Sequence, residues 1–148
     1  MIQLRHLGVI LLLVVIFSVS GCGSDSVVGG SDLANLTGKV WVLQSYNIEG
    51  NLESVIPGTR ITITFSSGNS LEGSAGCNEY SGGYSIIGTQ MSISVRSVGV
   101  EECDSPAGIM EQEASYLVVL QQTQRYEATA SELRLWYTAV NQMNFIAE

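Results

Sequence analysis

Apolar and polar residues alternate in several short runs of this chain, and this period of two constrains the fold more than any other feature. A β-strand directs successive side chains to opposite faces, so an alternating run predicts a strand with one buried face. The alternating runs are RITITF at 60–65, MSISV at 91–95 and ELRLWY at 132–137, while KVWVLQSYNI at 39–48 is predicted as a first long strand and NQMNFIA at 141–147 as a last one. Glycines between them mark hairpin turns. We therefore predict a mainly β domain, a small antiparallel barrel-like sheet of about seven or eight strands.

One segment, SPAGIMEQEASYLVVLQQ at 105–122, has helical rather than alternating spacing. Ser105 is the expected N-cap, and Pro106 suits the first helical position. The expected apolar face is formed by Ile109, Met110, Ala114, Leu117 and either Leu120 or Gln121. The pattern predicts one helix over about residues 106–121, which packs across the sheet or plugs one end of the barrel.

Residues 1–21 have the features of a signal peptide. Arg5 and His6 precede an apolar run at residues 7–17, which is shorter than the roughly 20 residues of a membrane-spanning helix. The following Val-Ser-Gly-Cys, residues 19–22, resembles the lipobox of bacterial lipoproteins. That resemblance implies cleavage before Cys22 and attachment of lipid to its thiol. Residues 22–32, rich in glycine, serine and aspartate, are then a lipidated flexible tether, and residues 33–148 are the folded domain.

The lipid would attach the protein to a membrane without a spanning helix. Gly23 follows Cys22, whereas an aspartate at this place resembles the inner-membrane retention signal of enterobacterial lipoproteins. The expected location is therefore the periplasmic face of the bacterial outer membrane, with the outer face of the cytoplasmic membrane as the alternative.

Charge and composition exclude several classes of function. From residue 22 onward the chain has 14 acidic residues against five basic ones, a net charge of −9, so we expect no nucleic-acid partner. The only histidine, His6, is lost with the signal peptide. Its loss excludes Ser-His-Asp and Cys-His catalysis and any metal site that uses imidazole. We expect no cofactor.

The remaining cysteines are Cys77 and Cys103, once Cys22 is assigned to lipid. A nucleophile or a metal ligand is the alternative for Cys77, in the stretch GCNEYSGGY. Two thiolates are too few for a structural zinc site, and the chain has no CxxC redox pair. In an exported protein an even remainder of cysteines predicts a disulfide between Cys77 and Cys103.

Carboxylates are the only catalytic groups left to consider. Glu72, Glu79, Glu101 and Glu102 are candidates for a paired acid and base, although solvated hairpin and loop charges are the simpler interpretation. Glu101, Glu102 and Asp104 surround Cys103 and are candidate ligands for weakly bound calcium, but they lack the pattern of an EF-hand loop. We therefore predict no catalytic and no metal site.

Trp136 is the candidate for an interaction surface. If Leu133 and Leu135 face the core, Trp136 shares the outer face of its strand with Arg134. An outward tryptophan is either covered by the helix or a loop, or forms an exposed apolar patch that suits protein contact.

Several motifs together resemble the META or HslJ-like domain family. LTGKVWVLQSY at 36–46 is similar to the family's opening, and ITITFSSGNSLEGSAGCNEYSGGY at 61–84 is similar to its centre. Cys103, Glu113, Leu117 and Leu120 match its second cysteine and helix, and Tyr126, Leu133, Leu135 and Phe145 match its close. The resemblance covers about residues 33–145. The carboxylates of VGVEEC and the extra glycine of YSGGY depart from the family pattern.

The resemblance implies a small barrel-like β structure with a helix, as in secreted or envelope proteins with a loose link to stress tolerance. No catalytic residues are established for the family, so the resemblance implies none in this chain. The expected function is a non-enzymatic envelope lipoprotein that binds an unknown envelope protein or supports the envelope under stress. The alternative is a carrier of a small apolar ligand in the barrel mouth, although small barrels usually fill their interior with side chains.

Overall fold

The computed structural model describes residues 30–48 and 50–148. The predicted signal peptide, the lipidation site at Cys22 and most of the predicted tether lie outside these residues. No helix in the described part is both long enough and apolar enough to cross a membrane. The elements there are α1 (Gly30–Leu36), β1 (Val40–Ile48), β2 (Asn51–Ser54), β3 (Thr62–Phe65), β4 (Ser70–Ser74), β5 (Glu79–Ile87), β6 (Gln90–Val98), α2 (Ile109–Gln121), β7 (Arg125–Ala128), β8 (Glu132–Trp136) and β9 (Gln142–Ala147).

The strands form a ring-like antiparallel sheet, which confirms the predicted mainly β, barrel-like class. Strands β3 to β9 follow in chain order, and β1 pairs with both β3 and β9 to close the ring. Eight strands make the ring, as predicted. The ninth, β2, is a short hairpin partner of the second half of β1, on the edge whose first half pairs with β3.

The alternating runs place their apolar residues inside the ring. Ile61, Ile63 and Phe65 are buried, and so are Leu133 and Leu135. Burial of one strand face fixes the register, because a slip of one residue would turn every apolar side chain outward. The interior is filled by large side chains, with the largest fully buried ones being Trp41, Tyr116, Tyr126, Phe65 and Phe145.

The long helix α2 ends at Gln121, as predicted, but it begins at Ile109 rather than at about residue 106. The predicted N-cap Ser105 and the predicted first helical residue Pro106 are therefore wrong, because both precede the helix. The position before the helix is Gly108, which has a φ of 86°, and only glycine enters that left-handed region without a steric cost.

The predicted apolar face of α2 is wrong in part. Ala114 is exposed, and the buried residues are Ile109, Gln112, Glu113, Tyr116 and Leu120. Two polar residues replace apolar ones on this face because neighbouring loops present backbone and side-chain groups that need hydrogen-bond partners there.

The two helices contact opposite ends of the ring. Helix α2 contacts the loops that follow β2, β4 and β6, so it plugs one end, as one of the two predicted arrangements had it. It also packs against β6, which pairs with β7 through one registered pair, Gln90 and Arg125.

Helix α1 closes the other end. Leu36 is fully buried, and its carbonyl accepts a 2.8 Å hydrogen bond from the indole nitrogen of Trp41. The helix starts at Gly30, three residues before the predicted domain boundary at Leu33. The last three residues of the predicted tether are therefore helical. Burial of Leu36 at the end of α1 stabilises this helix.

Candidate functional site

The turn between β4 and β5 carries Cys77 and Asn78 and forms the centre of a buried polar network. Asn78 and Glu113 are only 3% and 5% exposed. The Asn78 backbone N–H donates to one carboxylate oxygen of Glu113 at 2.7 Å, and the side-chain amide donates to the other at 2.8 Å. The same amide donates to the carbonyl of Glu101 at 2.9 Å, and its oxygen accepts from the Glu101 N–H at 2.8 Å. One asparagine thus joins the β4–β5 turn, the loop after β6 and helix α2.

Gln112, the neighbour of Glu113, holds a third loop. Its carbonyl oxygen accepts from the Ile56 N–H at 2.7 Å, and its amide donates to the Thr59 hydroxyl at 3.0 Å. Every hydrogen bond of this kind satisfies a group that would otherwise be buried without a partner. The polar residues on the buried face of α2 therefore hold the helix against the end of the ring.

A tyrosine pair continues the network into the core. The hydroxyls of Tyr80 and Tyr116 lie 2.6 Å apart, and the Tyr80 hydroxyl donates to the carbonyl of Thr62 at 2.9 Å. Burial raises the pKa of both phenols well above their usual value of 10. Both side chains are therefore neutral hydrogen-bonding groups at physiological pH and unsuited to act as proton acceptors there.

The predicted disulfide between Cys77 and Cys103 is present, with the two Cα atoms 6.0 Å apart. It links the β4–β5 turn, which carries Asn78, to the segment before α2. Because Cys77 is bonded to Cys103, the GCNEYSGGY stretch contributes a structural cross-link, and Cys77 is not a free nucleophile.

The candidate carboxylates fall into two separate places. Glu101, Glu102 and Asp104 lie in the loop after β6, and within the described part of the chain no three acidic, cysteine or histidine side chains come together as a metal site. Glu72 and Glu79 lie on the outer face of β4 and β5. Glu72 and Glu79 line one groove on that face, whereas Glu101 and Glu102 do not line it.

Trp136 and Arg134 lie on the outer face of β8, as predicted, and Trp136 is half-buried. The guanidinium of Arg125, on the neighbouring strand β7, lies 3.8 Å from the centre of the indole ring. Arg134 forms exposed ion pairs with Glu132 at 3.1 Å and Glu127 at 3.9 Å. The indole is thus covered on one side by an arginine, an arrangement that the sequence did not predict. We call the outer face of β7, β8 and β9 around this tryptophan the Trp136 surface.

A second feature of the outer face is a polar trough across β1, β3, β4, β5 and β6. Its floor is one row of residues in register: Val40, Thr64, Glu72, Ser81 and Ser97. Cavities of about 620 Å³ and 340 Å³ share Thr64, Glu72 and Ser81 and form one continuous groove. Glu72 and Glu79, two of the predicted acid and base candidates, line this trough, whereas Arg96 and the serines were not predicted to form a site. The paired glycines of YSGGY, one of which lies under the Arg96 guanidinium, are the sequence signal that could have found it.

Comparisons with known proteins place the fold. The META domain family profile matches residues 34–148. A protein from Burkholderia xenovorans, solved by NMR, is 24% identical with a TM-score of 0.63, and the match covers 76% of this chain and 83% of that one. A DUF4847 family protein from Bacteroides vulgatus ATCC 8482, solved by crystallography, is 14% identical with a TM-score of 0.60, covering 79% and 96% of the two chains. At these identities the likeness concerns the fold alone. A search of functionally curated proteins finds no match.

Proposed function

Since the chain belongs to the META domain family, we propose that it is a non-enzymatic, lipid-anchored envelope protein that binds a partner protein through the Trp136 surface. In this proposal Cys22 carries the lipid, residues 23–29 separate it from the folded domain, and the domain faces the periplasm from the outer membrane. The stress-related role that the resemblance implies would follow from that partner.

The observation that carries the proposal is an outward tryptophan framed by arginines on a protein whose interior is filled. Tryptophan and arginine are the residues most enriched among those that dominate binding energy at protein interfaces. Trp136 lies in a ladder between Arg125 and Gln142, and Arg134 lies in the next row beside Asn144. The outer face therefore combines an aromatic side chain with charged and polar ones, a mixture found in protein contacts.

The described interior does not favour the alternative of an apolar-ligand carrier. A carrier needs an apolar cavity of about 300 Å³ or more, largely closed to solvent. Here the ring centre is occupied by buried aromatic side chains such as Trp41, Phe65 and Phe145.

Site-specific photo-crosslinking in intact cells tests the partner. A photoreactive residue at Ile146, 46% exposed at the edge of the Trp136 surface, should crosslink one discrete protein. Substitution Trp136→Ala should abolish that product, while the protein level stays constant. The matched control places the same residue at Ile87, which is 79% exposed on the β5–β6 turn. Equal products from both positions, or a product that Trp136→Ala leaves unchanged, would contradict the proposed surface.

Membrane fractionation tests the anchor independently. Substitution Cys22→Ser should move the protein from the membrane to the soluble fraction, because two or three acyl chains supply stable attachment. Intact-mass measurement of the wild-type protein should give a chain that starts at Cys22 with added acyl mass. A mature chain that starts elsewhere and carries no acyl mass would refute lipidation.

A further inference from the structure

Two glycines with close backbone contacts alternate with the floor residues of the polar trough on β4 and β5. Gly73, on β4, has no room for a side chain: a Cβ there would lie 2.0 Å from the Thr62 carbonyl oxygen. Gly82, on β5, is equally restricted, with a Cβ at 2.1 Å from the Ser94 carbonyl oxygen. Neighbouring strands therefore approach closely at both glycines, and the short serine and threonine side chains of the trough leave the groove open.

A β-bulge places Arg96 at one end of the polar trough. Ser81 pairs with Ser97 and Gly82 pairs with Val95, so Arg96 is an extra residue without an opposite partner. Both Arg96 and Ser97 are exposed as a result. The guanidinium lies across Gly83, where a Cβ would be 3.0 Å from its terminal nitrogen. The extra glycine of YSGGY therefore makes room for this arginine, and bulges often re-aim a side chain at a binding site.

The polar groups along the floor have no partners within the chain. Among residues 30–48 and 50–148, the side chains of Thr64, Glu72, Ser81, Arg96 and Ser97 make no hydrogen bond or ion pair with one another or with other residues. Arg60, at the opposite end of the polar trough, is by contrast paired with Glu148. Glu79 also lines the trough, and its carboxylate has no such partner among the described residues either, so the trough presents one free cation and two free carboxylates, of which Glu72 is the nearer to Arg96.

The separation of these charges defines the ligand. The Arg96 guanidinium lies over Gly83, which is on the strand next to Glu72 and two residues further along, so the two backbone positions are roughly 8 Å apart at the usual strand spacing and rise. A peptide of two or three residues spans about 7–10 Å when extended. We propose that the polar trough binds a short zwitterionic peptide of two or three residues, with its carboxylate on Arg96 and its ammonium group on Glu72.

Other ligand classes fit the lining less well. A simple anion would meet Glu72 beside the arginine, and a simple cation would leave Arg96 unused. A neutral sugar would need an apolar or aromatic platform, but Tyr80, which borders the trough, directs its ring into the buried core. Hydroxyls in the middle of the groove suit the peptide groups between the two charges. This inference does not rest on the Trp136 surface, which lies on other strands.

Titration of the complete isotope-labelled chain in detergent micelles with trialanine, followed by NMR, tests the inference. The amide signals of Ser81 and Ser97 should shift in a saturable way. Trialanine amide and N-acetyl-trialanine should each bind about tenfold more weakly, because each lacks one charge-assisted hydrogen bond. Arg96→Gln should weaken trialanine binding and remove the difference between trialanine and its amide. Glu72→Gln should remove the difference from the acetylated peptide.

Matched control substitutions are Arg134→Gln and Glu53→Gln, an exposed arginine and an exposed glutamate away from the polar trough. Neither should alter trialanine binding. The inference is overturned if trialanine up to roughly 20 mM shifts neither serine, if blocking the termini leaves binding unchanged, or if the controls weaken binding as much as the trough variants do. Loss of the crosslink at the Trp136 surface would leave all of these results unaffected.

Discussion

Substitution Glu113→Gln should destabilise the domain strongly, although the side chain keeps its shape. The carboxylate is 5% exposed and accepts two hydrogen bonds from Asn78, at 2.7 Å and 2.8 Å. Glutamine supplies one acceptor oxygen and turns an NH2 group toward the second donor. A buried hydrogen bond to a charged group contributes about 1.5–3 kcal/mol, and an orphaned buried donor costs about 1–3 kcal/mol. We therefore expect the free energy of unfolding to fall by about 2–4 kcal/mol.

Urea unfolding of the complete chain in detergent, with the disulfide intact, measures this loss. For a domain of this size, 3 kcal/mol corresponds to a fall in Tm of about 10–15 °C. The matched control is Glu111→Gln, an exposed glutamate in the first turn of the same helix, which should change stability by less than about 1 kcal/mol.

A double-mutant cycle separates the pair from the surrounding packing. Asn78→Ala removes the side-chain hydrogen bond to Glu113 and the two hydrogen bonds with the Glu101 backbone, while the backbone N–H of residue 78 remains. The coupling energy between Asn78→Ala and Glu113→Gln should be about 1–3 kcal/mol, since residues in one hydrogen-bond network are not additive. If Glu113→Gln unfolds within about 0.5 kcal/mol of the wild type, the network does not hold the helix and the reasoning is refuted.

Three further predictions concern the same framework. Reduction of the Cys77–Cys103 disulfide, whose partners are 26 residues apart, should lower the free energy of unfolding by about 3.5 kcal/mol, checked by urea unfolding with and without reductant; an unchanged midpoint would contradict it. Gly82→Ala should cost at least about 2 kcal/mol because its Cβ would overlap a backbone oxygen, whereas Gly68→Ala, whose Cβ would meet only the Ser66 hydroxyl at 3.8 Å, should stay within about 1 kcal/mol; equal thermal midpoints would disprove the close strand approach at Gly82. Burial raises the pKa of Tyr116 above 10, so its contribution to stability is complete below pH 10 and is lost as the pH rises beyond it; in urea unfolding between pH 8 and 11.5, Tyr116→Phe should show a shallower alkaline decline than the wild type, and an identical decline would exclude this cause.

The sequence predicted the ring but not all of its parts. Strong alternation identified β3, β6 and β8, because period-two burial is a local property of the chain. The short strand β7 and the hairpin strand β2 have little pattern of their own, and they exist as strands through their pairing with β8 and β1. The sequence located helix α2 but not its start or the polar part of its buried face. Those polar residues pair with loops that are distant in sequence.

The disulfide was predictable because cysteine arithmetic requires no structure. The orientation of Trp136 was also predictable, from its position between Leu135 and Tyr137. Its cover was not, because Arg125 reaches the ring from another strand.

What the sequence by itself determined about this protein is its class, the inward faces of its clearest strands and the pairing of Cys77 with Cys103, because each follows from spacing along one stretch or from a count of residues. The tertiary structure alone decided which polar residues meet. Glu113 reaches Asn78 from 35 residues away, and Arg96 enters the polar trough through a one-residue bulge. The physical reason is that register and helix docking are fixed by the packing of the whole ring, and a shift of one residue in either would bring a different set of polar groups together.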